Sequence, residues 1–98
     1  MRVDILYVPD CPNLATARAH VREAVQAAGL DAVVEEVEVA TQEEAQRFGM
    51  HGSPTILIDG LDAVASVDEA SVACRLYRTA SGVAGSPSVA SLVEALSR

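Results

Sequence analysis

The sequence predicts an α/β fold: a central mixed four-stranded sheet in the order β-α-β-α-β-β-α, with helices on both faces. Three observations lead there. Residues Val3 to Val8 form an almost continuous apolar, β-branched run, too short for a helix and typical of a strand covered on both sides. An amphipathic helical stretch and a second β-rich segment follow, and such a strand-helix-strand crossover places its strands parallel and adjacent with a right-handed connection. Further on, Asp59-Gly60 ends an apolar run with a strong turn signal that points to a hairpin.

Each element has its own local signal. Pro9-Asp10-Cys11-Pro12-Asn13 breaks the first strand. Leu14, Ala17, Val21, Ala24, Val25 and Ala28 then share one helical face, away from Arg18, Arg22 and Gln26, and Gly29 supplies a left-handed cap. Ala32 to Val39 reads as a second strand near a sheet edge, with Val37 and Val39 on one face and Glu36 and Glu38 on the other. Thr41 and Glu44 have the spacing of a reciprocal helix cap, so a short helix runs to Phe48 and stops at Gly49. Thr55 to Ile58 is the third strand. The pattern is weakest from Leu61 to Ser71, where a helical turn is expected around Asp68 and Glu69, and Val72 to Tyr77 is the expected fourth strand. After a Gly/Ser/Ala-rich loop over 79–85, Ser86 and Pro87 read as N-cap and first residue of a final helix with Val89, Leu92, Val93 and Leu96 on its apolar face.

Composition excludes several function classes. The 98 residues suffice for one domain, 1–98, with a single modest core. Fourteen acidic residues against seven basic ones, all of them Arg, leave a formal charge of −7 and no basic run, which disfavours nucleic acid and anionic membranes. One Phe, two Tyr and no Trp leave no aromatic wall for a large flat cofactor, and no cofactor is expected. The amino terminus lacks the charged and apolar stretches of a secretory signal, and no apolar run is long enough to span a bilayer, so the cytoplasm is the expected compartment. Two Cys are too few for a disulfide scaffold. Without a Cys-x-x-Cys pair, a His-x-x-x-His pair or a dense carboxylate cluster, no metal site is expected.

Cys11 is the residue on which the chemistry turns. With Pro12 at the first helical position, Cys11 would cap the first helix, where unpaired N–H groups and the positive end of the helix dipole favour the thiolate. A plain capping role without reactivity is the competing reading.

The strand and turn Ile5-Leu6-Tyr7-Val8-Pro9 followed by Cys11-Pro12-Asn13-Leu14 resemble the active-site turn of the thioredoxin superfamily. Phe48-Gly49-Met50-His51-Gly52-Ser53-Pro54-Thr55-Ile56-Leu57-Ile58 is similar to the thioredoxin stretch that passes through a cis-proline into an antiparallel strand. The resemblance implies that Pro54 is the cis-proline, packed on the reactive sulfur, and that Ser53 offers its backbone to a bound partner as a short strand. It covers residue 2 to about residue 59 and the final helix. Ser71 to Ser91 resembles a signature of small bacterial thioredoxin-like proteins, some related chains of which carry names borrowed from organomercurial lyases.

The departures matter as much. Leu14 stands where the family has its second cysteine, so a dithiol at this turn is excluded, and the family's Trp before the motif is missing. Two chemistries remain: a monothiol cycle resolved by a small thiol such as glutathione or mycothiol, or pairing of Cys11 with Cys74 in a resolving role. Within a strand, Cys74 is first read as inert core, and its strand is expected to start away from the active turn. His51 is a candidate proton donor to the sulfur or a solvent-facing loop residue, and His20 reads as a surface residue. Asp4 is a candidate buried acid near the site. Arg75 and Arg78 either bind the carboxylates of a small thiol or pair with Glu35, Glu36 or Glu38.

The reading is a monothiol redox protein in which Cys11 acts as nucleophile in thiol-disulfide exchange or redox sensing. Pro12, Ser53, Pro54 and His51 are expected to hold the partner, which is a disulfide-bearing protein or a low-molecular-weight thiol. The alternatives are a redox-inert binding or assembly module, and capture of a soft metal or organomercurial by Cys11 with Cys74.

Overall fold

A computed structural model of the chain describes residues 1–65 and 69–98. In chain order its elements are β1 (Arg2–Tyr7), α1 (Leu14–Ala28), β2 (Val33–Glu38), α2 (Gln42–Phe48), β3 (His51–Ser53), β4 (Thr55–Ile58), β5 (Leu61–Asp62), β6 (Ser71–Cys74), β7 (Tyr77–Thr79), β8 (Gly82–Ala84) and α3 (Val89–Leu96). The helical turn expected around Asp68 and Glu69 falls on a residue, Asp68, that lies outside the described residues.

The main sheet is mixed and four-stranded, in the order β2-β1-β4-β5. β1 pairs parallel with β2, Leu6 opposite Val37, and antiparallel with β4, Ile5 opposite Ile56. As expected, β2 is an edge, and it exposes Val33, Val34 and its three Glu. Its outer face is tied to α1 by Arg18, whose guanidinium grips both carboxylate oxygens of Glu36 at 2.7 and 2.8 Å.

The fourth strand of this sheet differs from the sequence reading. It is Leu61–Asp62 rather than Val72 to Tyr77. Asp59 and Gly60 both take left-handed backbone, φ 48° and 86°, and a two-residue turn of that kind folds the chain straight back along β4. The slot beside β4 is therefore filled first. The later segment instead forms β6, parallel to β3, and the β7–β8 hairpin.

Helices cover both faces. Val3, Ile5 and Ile56 pack against Ala17, Val21 and Ala24 of α1 and Leu92, Ala95 and Leu96 of α3. On the opposite face Leu6 and Val39 pack with Ala45 of α2 and Met50. The core is thus two thin aliphatic layers on either side of one sheet, as the scarcity of aromatic residues requires.

The caps are local and mostly as the sequence suggests. Gly29 and Gly49 end α1 and α2 in left-handed backbone, their N–H groups closing on Gln26 and Ala45 carbonyls respectively. Thr41 accepts the Glu44 N–H at 3.1 Å, and the Glu44 carboxylate returns to the Ala40 N–H at 3.1 Å, one residue before the cap. The last helix starts later than Ser86 and Pro87 suggested: Ser88 is its N-cap and accepts the Ser91 N–H at 3.1 Å, while Ser86 and Pro87 are buried against the body. His20 explains part of that delay. It is half-buried rather than free on the surface, and its Nδ1 donates to the Pro87 carbonyl at 2.8 Å, pinning the entry of α3 to α1. Among the described residues, no helix is long and apolar enough to cross a membrane.

Candidate functional site

The turn after β1 is built by Pro9 and Asp10. The Cys11 N–H closes back on the Val8 carbonyl at 3.1 Å, and Asp10 sits at φ 60°, the left-handed value that a type II turn demands at its third position. Pro9 precedes it with φ already fixed, and Asp tolerates left-handed backbone better than most residues. The turn swings Cys11 off the end of the sheet.

Cys11 is not the helix cap that the position of Pro12 suggested. The helix begins at Leu14, and Asn13 is its N-cap, without a side-chain cap hydrogen bond. The Cys11 carbonyl accepts the Leu14 N–H at 3.4 Å, so Cys11 opens a turn, and the helix starts two residues later than expected. The Asn13 side chain lies over Gly85, where an added Cβ would come within 2.4 Å of it. Pro12 is exposed at the outer surface of the turn.

What faces the sulfur is Ser53. Its hydroxyl donates to Cys11 Sγ at 3.1 Å and accepts the Val8 N–H at 3.1 Å. With an N–H occupying an oxygen lone pair, the hydroxyl proton is directed at the sulfur. Ser53 is wholly buried, whereas Cys11 is half-buried and open to a reactant. The Ser53–Pro54 peptide bond is cis, as the sequence led us to expect, and Pro54 is buried.

The backbone of Ser53 is engaged as well. Its carbonyl accepts the Arg75 N–H at 3.0 Å, so β6 of the same chain occupies that side of β3, and this carbonyl is not free for a partner strand. Arg75 itself is 8% exposed and donates to Asp62 at 2.8 Å, the Val64 carbonyl at 2.7 Å and Thr55 Oγ1 at 3.2 Å, with its guanidinium over the Tyr77 ring. It is neither a free anion site nor the partner of a β2 glutamate. Tyr77 donates its hydroxyl to the Pro54 carbonyl, and burial holds its phenol well above the usual tyrosine range. Thr55 Oγ1 donates to the Gly52 carbonyl at 2.6 Å and accepts the His51 N–H at 3.2 Å.

Residues 51–55 are therefore clamped from both sides. Sequence reasoning missed this role of Thr55, Arg75 and Tyr77. The only signal was the alternation Arg75-Leu76-Tyr77, which puts a cation and an aromatic ring on the inner face with Leu76 turned out to solvent.

The remaining candidates separate into those near the sulfur and those elsewhere. Cys74 is exposed rather than core, and it lies directly across the ladder from Ser53. Cys74 and His51 both line a cleft of ≈ 620 Å³ that also includes Glu69 and Arg78. Among the described residues His51 makes no hydrogen bond to Cys11, and its buried Nδ1 has no partner. Asp4 is paired with Arg2 at 2.9 Å on β1. Compared with known proteins, the chain matches no family model, no curated protein and no solved structure.

Proposed function

We propose that this chain is a thioredoxin-like monothiol redox protein acting in the cytoplasm, with Cys11 as the nucleophile of thiol-disulfide exchange or thiol redox sensing. The observation that carries the reading is the Ser53 hydroxyl aimed at the half-open Cys11 sulfur. The mixed sheet, with β1 parallel to β2 and antiparallel to β4 and helices on both faces, supports the fold assignment.

In this reading the Cys11 thiolate attacks one sulfur of a disulfide on a partner protein or small molecule. A mixed disulfide forms and the second substrate sulfur leaves as a thiolate. Ser53 holds the charge on the nucleophile before attack, and Pro54 keeps Ser53 facing the turn. Pro12, exposed beside the sulfur, and His51, two residues before Ser53, border the incoming group. Attack by a second, external thiol on the mixed disulfide returns Cys11 to its starting state.

A redox-inert binding module is the second reading, favoured by the Ser53 carbonyl being taken by Arg75 and by Leu14 in place of a second cysteine. Treating the reduced chain with glutathione disulfide and mapping the modified peptides separates the two. The redox reading expects the adduct on Cys11, its loss in Cys11→Ser, and its removal by excess thiol. Label confined to Cys74, with Cys11 untouched, would overturn it in favour of the inert module.

A further inference from the structure

The monothiol description rests on the absence of a second cysteine in the turn, yet the fold brings one in from the other end of the chain. Ser53 is flanked by both thiols. Its side chain contacts Cys11 Sγ at 3.1 Å, and its backbone pairs with Cys74 across the parallel β3–β6 ladder, fixed by the Arg75 N–H to Ser53 carbonyl bond at 3.0 Å. Neighbouring strands lie only ~4.8 Å apart, and residues directly paired on a ladder send their side chains to the same side of the sheet. The pairing sets Cys74 one strand spacing from Ser53, just past a register shift between His51 and Ser53. Cys74 is exposed and borders the ≈ 620 Å³ cleft, so its sulfur is free to react.

The register also has a built reason. Gly52 sits at φ 101°, and a Cβ there would come within 2.8 Å of the Arg75 Cβ and 3.2 Å of the Ala73 carbonyl oxygen. Only a glycine lets β6 approach β3 this closely, and Arg75, anchored on Asp62, Thr55 and Val64, locks the residue after Cys74 in place. The structure thus holds Cys74 beside the nucleophile's hydrogen-bond partner by contacts on both flanks of the ladder position.

We propose that Cys74 is the resolving thiol for Cys11, making the site a two-cysteine centre split between the first turn and β6. The proposal rests on the reading of Cys11 as nucleophile. In the first step Cys11 sulfur bonds to a substrate sulfur, the substrate S–S bond breaks, and one substrate thiolate leaves. In the second, the Cys74 thiolate attacks Cys11 Sγ, the Cys11–substrate bond breaks, and the second substrate thiolate leaves. The substrate disulfide has gained two electrons and becomes two thiols on taking up the protons lost by Cys11 and Cys74; the protein dithiol has become a Cys11–Cys74 disulfide. Two equivalents of a small thiol reopen it. Closure needs the two Cα atoms within about 7 Å.

The experiment follows the full chain after one equivalent of glutathione disulfide, by intact mass and peptide mapping against time, in the wild type, Cys74→Ser, Cys74→Ala and Cys11→Ser. In the wild type the Cys11 adduct is expected to decay into a species lacking two hydrogens whose digest contains a Cys11–Cys74 cross-linked peptide. Both Cys74 variants are expected to keep the Cys11 adduct at least about tenfold longer. An adduct that forms on Cys11 but persists equally in all three chains overturns the resolving role and leaves the monothiol reading standing. Failure of Cys11 to form an adduct in any of them overturns the nucleophile reading, and this proposal with it.

Discussion

At the scale of single residues, the hydroxyl of Ser53 is the feature that distinguishes Cys11 from an ordinary surface thiol. Being wholly buried, Ser53 cannot trade its sulfur partner for water, and the Val8 N–H fixes which way its proton points. A hydrogen bond to a charged group contributes about 1.5–3 kcal/mol, and Ser53 is placed to make one to the reacting sulfur. Ser53→Ala is therefore expected to slow iodoacetamide alkylation of Cys11 by about tenfold at neutral pH. Exposed Cys74, alkylated in the same tube, serves as the internal reference and should keep its rate. Equal slowing at both cysteines, or none at Cys11, would detach Ser53 from the chemistry.

At the scale of elements, β6 and β7 act as a brace on the segment that carries Ser53. Arg75 gives this brace its energy, because removing the buried guanidinium leaves Asp62 Oδ2 and the Val64 carbonyl without this partner. Breaking a buried pair from one side costs about 3 kcal/mol or more, whereas exposed Arg78 lies on the outer face of β7. In urea titrations Arg75→Ala should thus lower the stability by about 3 kcal/mol, and Arg78→Ala by less than about 0.5 kcal/mol. Beyond the alternation of Arg75, Leu76 and Tyr77, none of this brace was legible in the sequence, and the reason is distance along the chain. The caps of α1 and α2 close between residues a few positions apart, as does the Asp59-Gly60 turn, so local spacing announces them. Arg75 meets Asp62 across 13 positions and Tyr77 meets Pro54 across 23, and no periodicity encodes such a meeting. The same limit explains the misassigned fourth strand, since Val72 to Tyr77 has strand composition but cannot declare which strand it will join. The surroundings of Cys11 were misread: Pro12 suggested a helix start, whereas Asn13 is the N-cap and its side chain lies against Gly85, 72 residues later.

For the molecule as a whole, two ionisable links respond to pH in opposite directions, and their burial decides which dominates. Glu36 is held below the usual carboxylate range, first by the hydrogen bond from Arg18. A carboxylate so lowered contributes stability above its unfolded value, and that contribution is lost as pH falls through the folded one. Both partners are substantially open to solvent, so the effect is small and weakens further with salt. Tyr77 is only 3% exposed, and burial raises its phenol. A group so raised contributes stability that is fully present below the ordinary tyrosine value of about 10 and is lost as pH climbs above it. The unfolded chain releases this proton first, so each further pH unit removes about 1.4 kcal/mol until the folded phenol also ionises. The fold should therefore fail from the alkaline side well before Glu36 makes it fail from the acid side. Because the ring donates to the Pro54 carbonyl, the loss is expected to reach the site as well as the core. Urea titrations of the wild type and Tyr77→Phe at several pH values between about 8 and 11 test this. The variant should start less stable by about 1 kcal/mol for the missing hydrogen bond and then decline more gently above pH ~10. Parallel curves over that range would mean that the buried phenol does not govern the alkaline limit.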